Sequence, residues 1–370
     1  MKLPTYQQLT KAQEQVVNLP IGESCLVTGP PGTGKTVVAL HRTHLASKSD
    51  AKHTHMLMLN NILMQYTSLA AKSLKIDTQV TTFHQFMYYK LPKSTGFKTP
   101  ALGPYEFDWD TILKRLGDVR KDHDLHFIID EAQDLRKEFF LLATRLAAKL
   151  TIMADENQCM ALNSRILDIQ NWAAIPKNRT FNLTVNYRNS RPIAEFASQF
   201  YVGLATGIPE FPSRTGPQPR VERHDTTDTI AKSIERYYKN NDDQTIGVIC
   251  MNKKTQNALV HRLEKVLPKD KLQTYARMDG KAAPKIDFSK AGVYIVNLAS
   301  CKGLEFDAVY LPDIENLTLE DDDTRVKMKL YVACSRAVHR LTIAFQGEAP
   351  EALSLFNRNQ GEWAIDQNAI

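Results

Sequence analysis

Cysteine is scarce in this chain, and the five that occur (Cys25, Cys159, Cys250, Cys301 and Cys334) lie far apart with no C-x-x-C pair. That excludes a disulfide framework or a cysteine-built zinc site as the basis of the fold and makes a reducing cytoplasm the expected setting. Long hydrophobic runs are missing too. No segment approaches the ~18 apolar residues of a membrane span, and the opening MKLPTYQQLTK has no apolar core of a signal peptide. No internal repeat stands out, and the one strong charge run, LEDDD at residues 319–323, reads as a solvated loop. The formal charge of +6 is only mildly basic, which suits a polyanionic partner and an ordinary enzyme alike.

What is present is a chain of 370 residues, 43% hydrophobic, enough for a full core and about two domains. Short β-rich runs alternate with segments of helical period, the pattern of parallel sheets covered by helices. Strands are expected at CLVTG, HMLML, TQVTTF, LHFIIDE and LTIMADE in the first half, and at TIGVICM, GVYIVNLAS, DAVYLP and RLTIAF in the second. Residues 203–220, GLATGIPEFPSRTGPQPR, are too rich in Gly and Pro for a regular element. They read as a loop inside the second domain. The boundary is expected near Asn178, because the helix at RPIAEFASQFY would pack on the second sheet. The fold class expected is α/β, with domains at 1–177 and 178–346 and a C-terminal tail at 347–370.

GPPGTGKT carries the pattern G-x-x-x-x-G-K-[ST] between an apolar run and a helical segment. Gly29, Pro30, Pro31, Gly32, Thr33 and Gly34 would cradle a phosphate with backbone N–H groups. Lys35 adds positive charge at the β/γ-phosphates, and the Thr36 hydroxyl can ligate Mg²⁺. LHFIIDEAQD supplies the second requirement, an apolar strand delivering Asp130 and Glu131 at its end. Asp130 is placed to hold Mg²⁺ and Glu131 to orient or deprotonate the attacking water.

DEAQD together with GPPGTGKT resembles the superfamily 1 DNA helicases of the UvrD/Rep/PcrA type, and further motifs follow in that family's order over most of the chain. The resemblance implies two RecA-like parallel-sheet P-loop NTPase domains with the ATP site in the cleft between them. Its implied activity is hydrolysis of ATP to ADP and phosphate, coupled to 3′→5′ movement on single-stranded DNA. LTKAQEQVV resembles the motif whose glutamine reads adenine, here Gln13, which favours ATP over GTP. VTTFHQF resembles the T-x-H-x-F element that holds a strand phosphate, with Thr82 and His84 in the contacting positions. MADENQ resembles G-D-x-x-Q, with Asp155 and Gln158 as γ-phosphate sensors. In LTVNYRNS, Tyr187 would stack on adenine and Arg188 would reach the γ-phosphate. SCKGLEFDAVYLP places Gly303 near phosphate and Glu305 near the ribose, and KLYVACSRA makes Arg336 the second arginine finger.

The chain departs from that family in two respects. The gaps at residues 87–129 and 251–291 leave the insertion subdomains small or missing, so unwinding by this chain alone is not expected. The stacking motif that usually follows the glutamine is replaced by CMALNSRILDI, with no aromatic until Trp172. LNNILMQYTSLAA replaces F-T-N-x-A-A; Asn60 and Asn61 could still bond phosphates, and Tyr66 or Phe83 could stack on a base. Two functions therefore stand side by side. One is a compact motor on single-stranded nucleic acid. The other is a helicase-derived regulatory ATPase subunit that binds ATP and a partner protein, such as a nuclease in a repair or anti-phage defence complex, without unwinding by itself.

Overall fold

The computed structural model describes residues 4–49, 53–76, 79–155, 165–203, 207–275, 285–319 and 323–356. Two compact units divide the chain, one made of residues 1–184 with 205–207 and the other of 185–204 with 208–370.

The first unit contains β1 (Cys25–Thr28), β2 (His53–Met58), β3 (Val80–Thr82), β4 (Ala101–Gly103), β5 (Glu106–Phe107), β6 (Asp122–Ile129), β7 (Ala147–Ala154) and β8 (Thr180–Asn182). Among the described residues, six of these form a parallel sheet in the order β3-β2-β6-β7-β1-β8. β4 and β5 make a separate antiparallel hairpin. The sheet strands are apolar on both faces because helices cover both: Leu26, Val27, Ile128, Ile129, Ile152 and Met153 are all fully buried. The helix Lys35–Lys48 lies against β2, β6 and β7, and the helix Lys137–Leu146 against β6 and β7. The order sets the C-terminal ends of β6, β7 and β1 side by side. Ligands bind at that edge in open α/β sheets, and it carries DEAQD, Asp155 and GPPGTGKT.

β8 corrects the expected boundary. Leu26, Val27 and Thr28 pair with Thr180, Phe181 and Asn182, so the first unit runs through Thr184 rather than ending at 177. A three-residue strand leaves too short an apolar signal to be read from sequence, and its place is fixed by the ladder of its neighbour.

The second unit contains β9 (Arg220–His224), β10 (Thr245–Cys250), β11 (Leu272–Thr274), β12 (Gly292–Asn297), β13 (Phe306–Leu311) and β14 (Ala337–Gln346). They form a parallel sheet in the order β11-β12-β10-β13-β14-β9. The expected strands are the inner four, while the polar β9 and β11 are the edges. As expected, the helix Arg191–Ser198 packs on β14, in company with the helix Thr324–Cys334. The Gly/Pro segment folds back on NYRNS. Asn186 N–H donates to Glu210 O at 3.1 Å and Arg191 N–H to Arg214 O at 2.7 Å. Both units thus have the α/β RecA-like architecture. Among the described residues no helix is long and apolar enough to cross a membrane.

Candidate functional site

The phosphate loop leaves β1 at Thr28 and enters the helix Lys35–Lys48 at its first residue. Two glycines are required there by space as well as by conformation. Gly34 has φ +87°, and a Cβ on it would collide with the Gln13 amide. A Cβ on Gly29 would stand 2.5 Å from Leu183 O. Thr33 Oγ1 closes the turn by donating to Pro30 O at 2.9 Å. Lys35, nearly buried, donates from Nζ to Gly29 O at 2.6 Å and Pro30 O at 3.1 Å, and lies 3.8 Å from Asp155.

The carboxylates stand directly opposite. Thr36 Oγ1 donates to Asp130 Oδ2 at 2.7 Å, joining the helix after β1 to the end of β6. Asp130 is held by its own N–H on Leu57 O at 3.0 Å and by Glu131 N–H on its Oδ1 at 3.0 Å. Burial, reinforced by the charge of Glu131, pushes its carboxyl up to about 6. Glu131 sits at φ +54°, a left-handed conformation that costs a residue with a Cβ energy and is often held at functional sites. Gln133 Nε2 donates to Glu131 Oε2 at 2.6 Å, and Gln133 Oε1 accepts from Asp155 N–H at 3.0 Å. Gln133 is therefore a strut between the ends of β6 and β7 that sequence reasoning did not single out.

This donor set fits Mg²⁺. A hydroxyl and a carboxylate oxygen already within hydrogen-bond distance are hard ligands, and Mg²⁺ keeps water and phosphate oxygens in its remaining positions. Among the described residues no group of three or more His, Cys, Asp or Glu could hold a metal alone.

Gln13 lies on the helix Lys11–Val17, capped by Thr10. Its Oε1 accepts from Thr10 N–H at 3.1 Å and its Nε2 donates to Thr33 O at 3.0 Å. The far end of that helix is held by Arg42, a fully buried residue that sequence reasoning also missed. Its Nη1 donates to Val16 O, Val17 O and Leu19 O at 2.8, 3.2 and 3.0 Å.

The residues expected to meet nucleic acid are less open. Asn60 caps the helix Asn61–Ser73 by accepting from Leu63 N–H at 2.8 Å, and Thr82 caps the next turn through Gln85 N–H at 3.1 Å. Phe83 is buried among Phe107, Trp109 and Phe139 at centroid distances of 5.8, 6.3 and 5.0 Å. Its faces belong to the core and are not offered to a base. Tyr66 is buried as well. His84 is half-buried, and burial pulls its pKa below the usual imidazole value, leaving a neutral ring at neutral pH. Gln158 lies outside the described residues.

In the second unit the structure brings Arg188, Glu305 and the stretch before Arg336 together. Arg188 Nε donates to Glu305 Oε2 at 2.8 Å and its Nη1 to Ser335 O at 3.4 Å. Tyr187 is exposed, and Arg214 braces the loop by donating to Arg188 O at 3.0 Å and Tyr187 O at 3.3 Å. Gly303 is buried with φ +73°. Arg336 is 1% exposed. It donates to Val332 O at 2.9 Å, Leu304 O at 3.4 Å and Ser335 Oγ at 2.9 Å, so the expected finger is also a packed structural residue.

Residues 13–163 match a family model described as an AAA domain. No curated protein matches the chain, whereas 463 chains of solved structures do. One is a variant of S. cerevisiae Dbp5 bound to RNA and ADP BeF3, 12% identical over 94% of this chain and 86% of that one, with a TM-score of 0.52. Another is the C-terminal domain of a possible DNA helicase from Lactobacillus plantarum, 23% identical over 50% of this chain and all (100%) of that one, with a TM-score of 0.36. A third is the Arterivirus nonstructural protein 10 helicase, 14% identical over 94% of this chain and 64% of that one, with a TM-score of 0.42. At these identities the shared property is the fold, and the Dbp5 match spans both units; the first half of the chain carries the AAA-domain match and with it the P-loop.

Proposed function

We propose that this chain is an ATP-dependent motor on single-stranded DNA, of the UvrD-like superfamily 1 type, moving 3′→5′ and working in the cytoplasm. The observation that carries the reading is the Thr36–Asp130 pair, with Glu131 beside it at the same sheet edge. Water attacks the γ-phosphorus of ATP, Glu131 accepts its proton, the bond to the ADP oxygen breaks, and phosphate leaves. Lys35 exchanges Gly29 O and Pro30 O for phosphate oxygens, where its charge offsets the charge that develops. Mg²⁺, held by Thr36 and Asp130, would neutralise the phosphate oxygens. On the same reading Gln13 and Tyr187 meet the adenine, Arg188 and Arg336 the γ-phosphate, Gly303 a phosphate and Glu305 the ribose. Thr82, His84 and Asn60 face the strand.

The test is the steady-state ATPase rate with and without single-stranded DNA, single-stranded RNA and duplex, at two salt concentrations, with Lys35→Ala as the blank. Salt-sensitive stimulation by single-stranded DNA is expected, followed by 3′→5′ translocation that strips streptavidin from a 5′-biotinylated strand and not from a 3′-biotinylated one. A rate indifferent to every nucleic acid would favour the second reading, a regulatory ATPase serving a partner protein. That reading draws on the small size of the structure between β3 and β6, which holds one short hairpin, β4 with β5, and brief helical turns.

A further inference from the structure

The segment between β3 and β6 carries a feature that the nucleotide site does not use. Between His84 and Tyr105 the sequence has Lys90, Lys93 and Lys98 and no Asp or Glu. Tyr88 and Tyr89 precede these lysines and Tyr105 follows them. From Phe83 to Thr95 the backbone is helical, with a π-helical turn at Phe86–Lys90. Such turns mark functional sites more often than ordinary helix does. Tyr88 points to the hairpin: its hydroxyl accepts from Tyr105 N–H at 3.2 Å, and its ring packs on Phe107 at 5.1 Å. Tyr89 stands out at 68% exposed.

Tyr105 lies in the turn between β4 and β5 with φ +65°, a conformation that glycine would adopt without cost and tyrosine does not. It is 58% exposed. The His84 ring meets it at 5.0 Å and 89°, and His84 in turn lies on Phe107 at 6.1 Å and 29°. A strained backbone therefore holds a large aromatic ring in solvent, braced by a neutral histidine and anchored through Tyr88.

We propose that the hairpin turn is a base-stacking platform for single-stranded DNA. Tyr105 presents its ring to an unpaired base, His84 fixes the ring's angle, and the exposed Lys93 and Lys98 meet the flanking phosphates. An exposed aromatic ring at the end of a lysine-bearing stretch, residues 84–105, is the chemistry that holds a single strand without reading sequence, and the exposed Glu106 beside Tyr105 bounds that basic stretch. The platform also supplies what Phe83, buried in the core, does not. It rests on the single-strand reading above and adds to it the place where the base is held.

The experiment is fluorescence anisotropy of labelled oligothymidylate with the wild-type chain, Tyr105→Ala and Tyr105→Phe. Tyr105→Ala is expected to weaken binding by about tenfold or more, as loss of a base stack does, and Tyr105→Phe to stay within about twofold. A paired duplex offers no free base face and should show no such difference. A strand carrying 5-iododeoxyuridine, photolysed on the wild-type protein, should crosslink to the peptide containing Tyr105, a readout independent of how any variant folds. Wild-type binding with equal affinity for Tyr105→Ala, or a crosslink confined to other peptides, would overturn the platform and leave the motor reading standing. No strand binding by the wild type would overturn both.

Discussion

Gln13 donates its side-chain N–H to Thr33 O at 3.0 Å, so the residue expected to read adenine is fastened to the loop expected to hold the phosphates. Its other amide end accepts from Thr10 N–H, which leaves one N–H and one lone pair for a base edge. Gln13→Ala should both loosen the loop and remove the base contact. Expected are a KM for ATP raised about tenfold, the value of one lost recognition bond, and a KM for GTP raised less, measured side by side. An unchanged ATP-to-GTP ratio would remove Gln13 from base recognition and leave it a loop strut.

Asp130 places stability and catalysis in opposition. Burial and the Glu131 charge raise its carboxyl to about 6, against an unfolded value near 3.8. Between those values the folded chain binds the extra proton, so stability is lost as pH rises from about 4 to about 6. Asp130→Asn keeps an acceptor for Thr36 and removes the charge. It should raise stability at pH 7 by on the order of 2 kcal/mol and abolish hydrolysis. Urea unfolding of both proteins at pH 4 and pH 7 checks the first claim, since the gap should close at the lower pH.

Much of this was legible in the sequence, and the misses have physical reasons. Inner strands such as FII of β6 and GVYIV of β12 are continuous apolar runs that only a doubly covered sheet explains, and GPPGTGKT needs its glycines where the structure strains them. β8, β9 and β11 went unread because edge strands of three to five residues are placed by their neighbours' ladders more than by their own composition. Phe83 illustrates another limit. The sequence offers it as a ring that could stack on a base, yet whether that ring faces solvent or Phe139 depends on packing that no local pattern records. Arg42 and Gln133 were invisible for a related reason, because each works by joining segments far apart in the chain.

Arg336 carries two burdens that a single substitution will show together. Its guanidinium serves Val332 O, Leu304 O and Ser335 Oγ inside the second unit, and the proposed function also asks it to meet the γ-phosphate. Arg336→Ala should slow hydrolysis by orders of magnitude and destabilise the chain by about 2–4 kcal/mol through the unpaired carbonyls and the cavity. Tm and kcat measured on the same preparation separate the two. A stable variant hydrolysing at the normal rate would refute both roles.

His126 gives the acid side of the stability curve. On β6, its Nε2 is 3.0 Å from Thr151 Oγ1 on β7, and Arg42 Nε donates to that same oxygen at 3.3 Å. Burial, with the Arg42 charge adding to it, lowers its pKa to about 3 from 6.5. As pH falls below 6.5 the unfolded chain takes up a proton that the folded one refuses, so stability is present above that value and is lost progressively down to about 3. The loss should reach about 2 kcal/mol by pH 5. It runs against the Asp130 slope where the two windows overlap, so the wild-type curve alone understates both. His126→Gln keeps a partner for Thr151 and cannot charge; its urea midpoint should fall less than that of the wild type between pH 7 and pH 5. If the two midpoints fall in parallel, another group carries the acid sensitivity, and the buried cluster of Arg42, Thr151 and His126 accommodates a proton more readily than its burial implies.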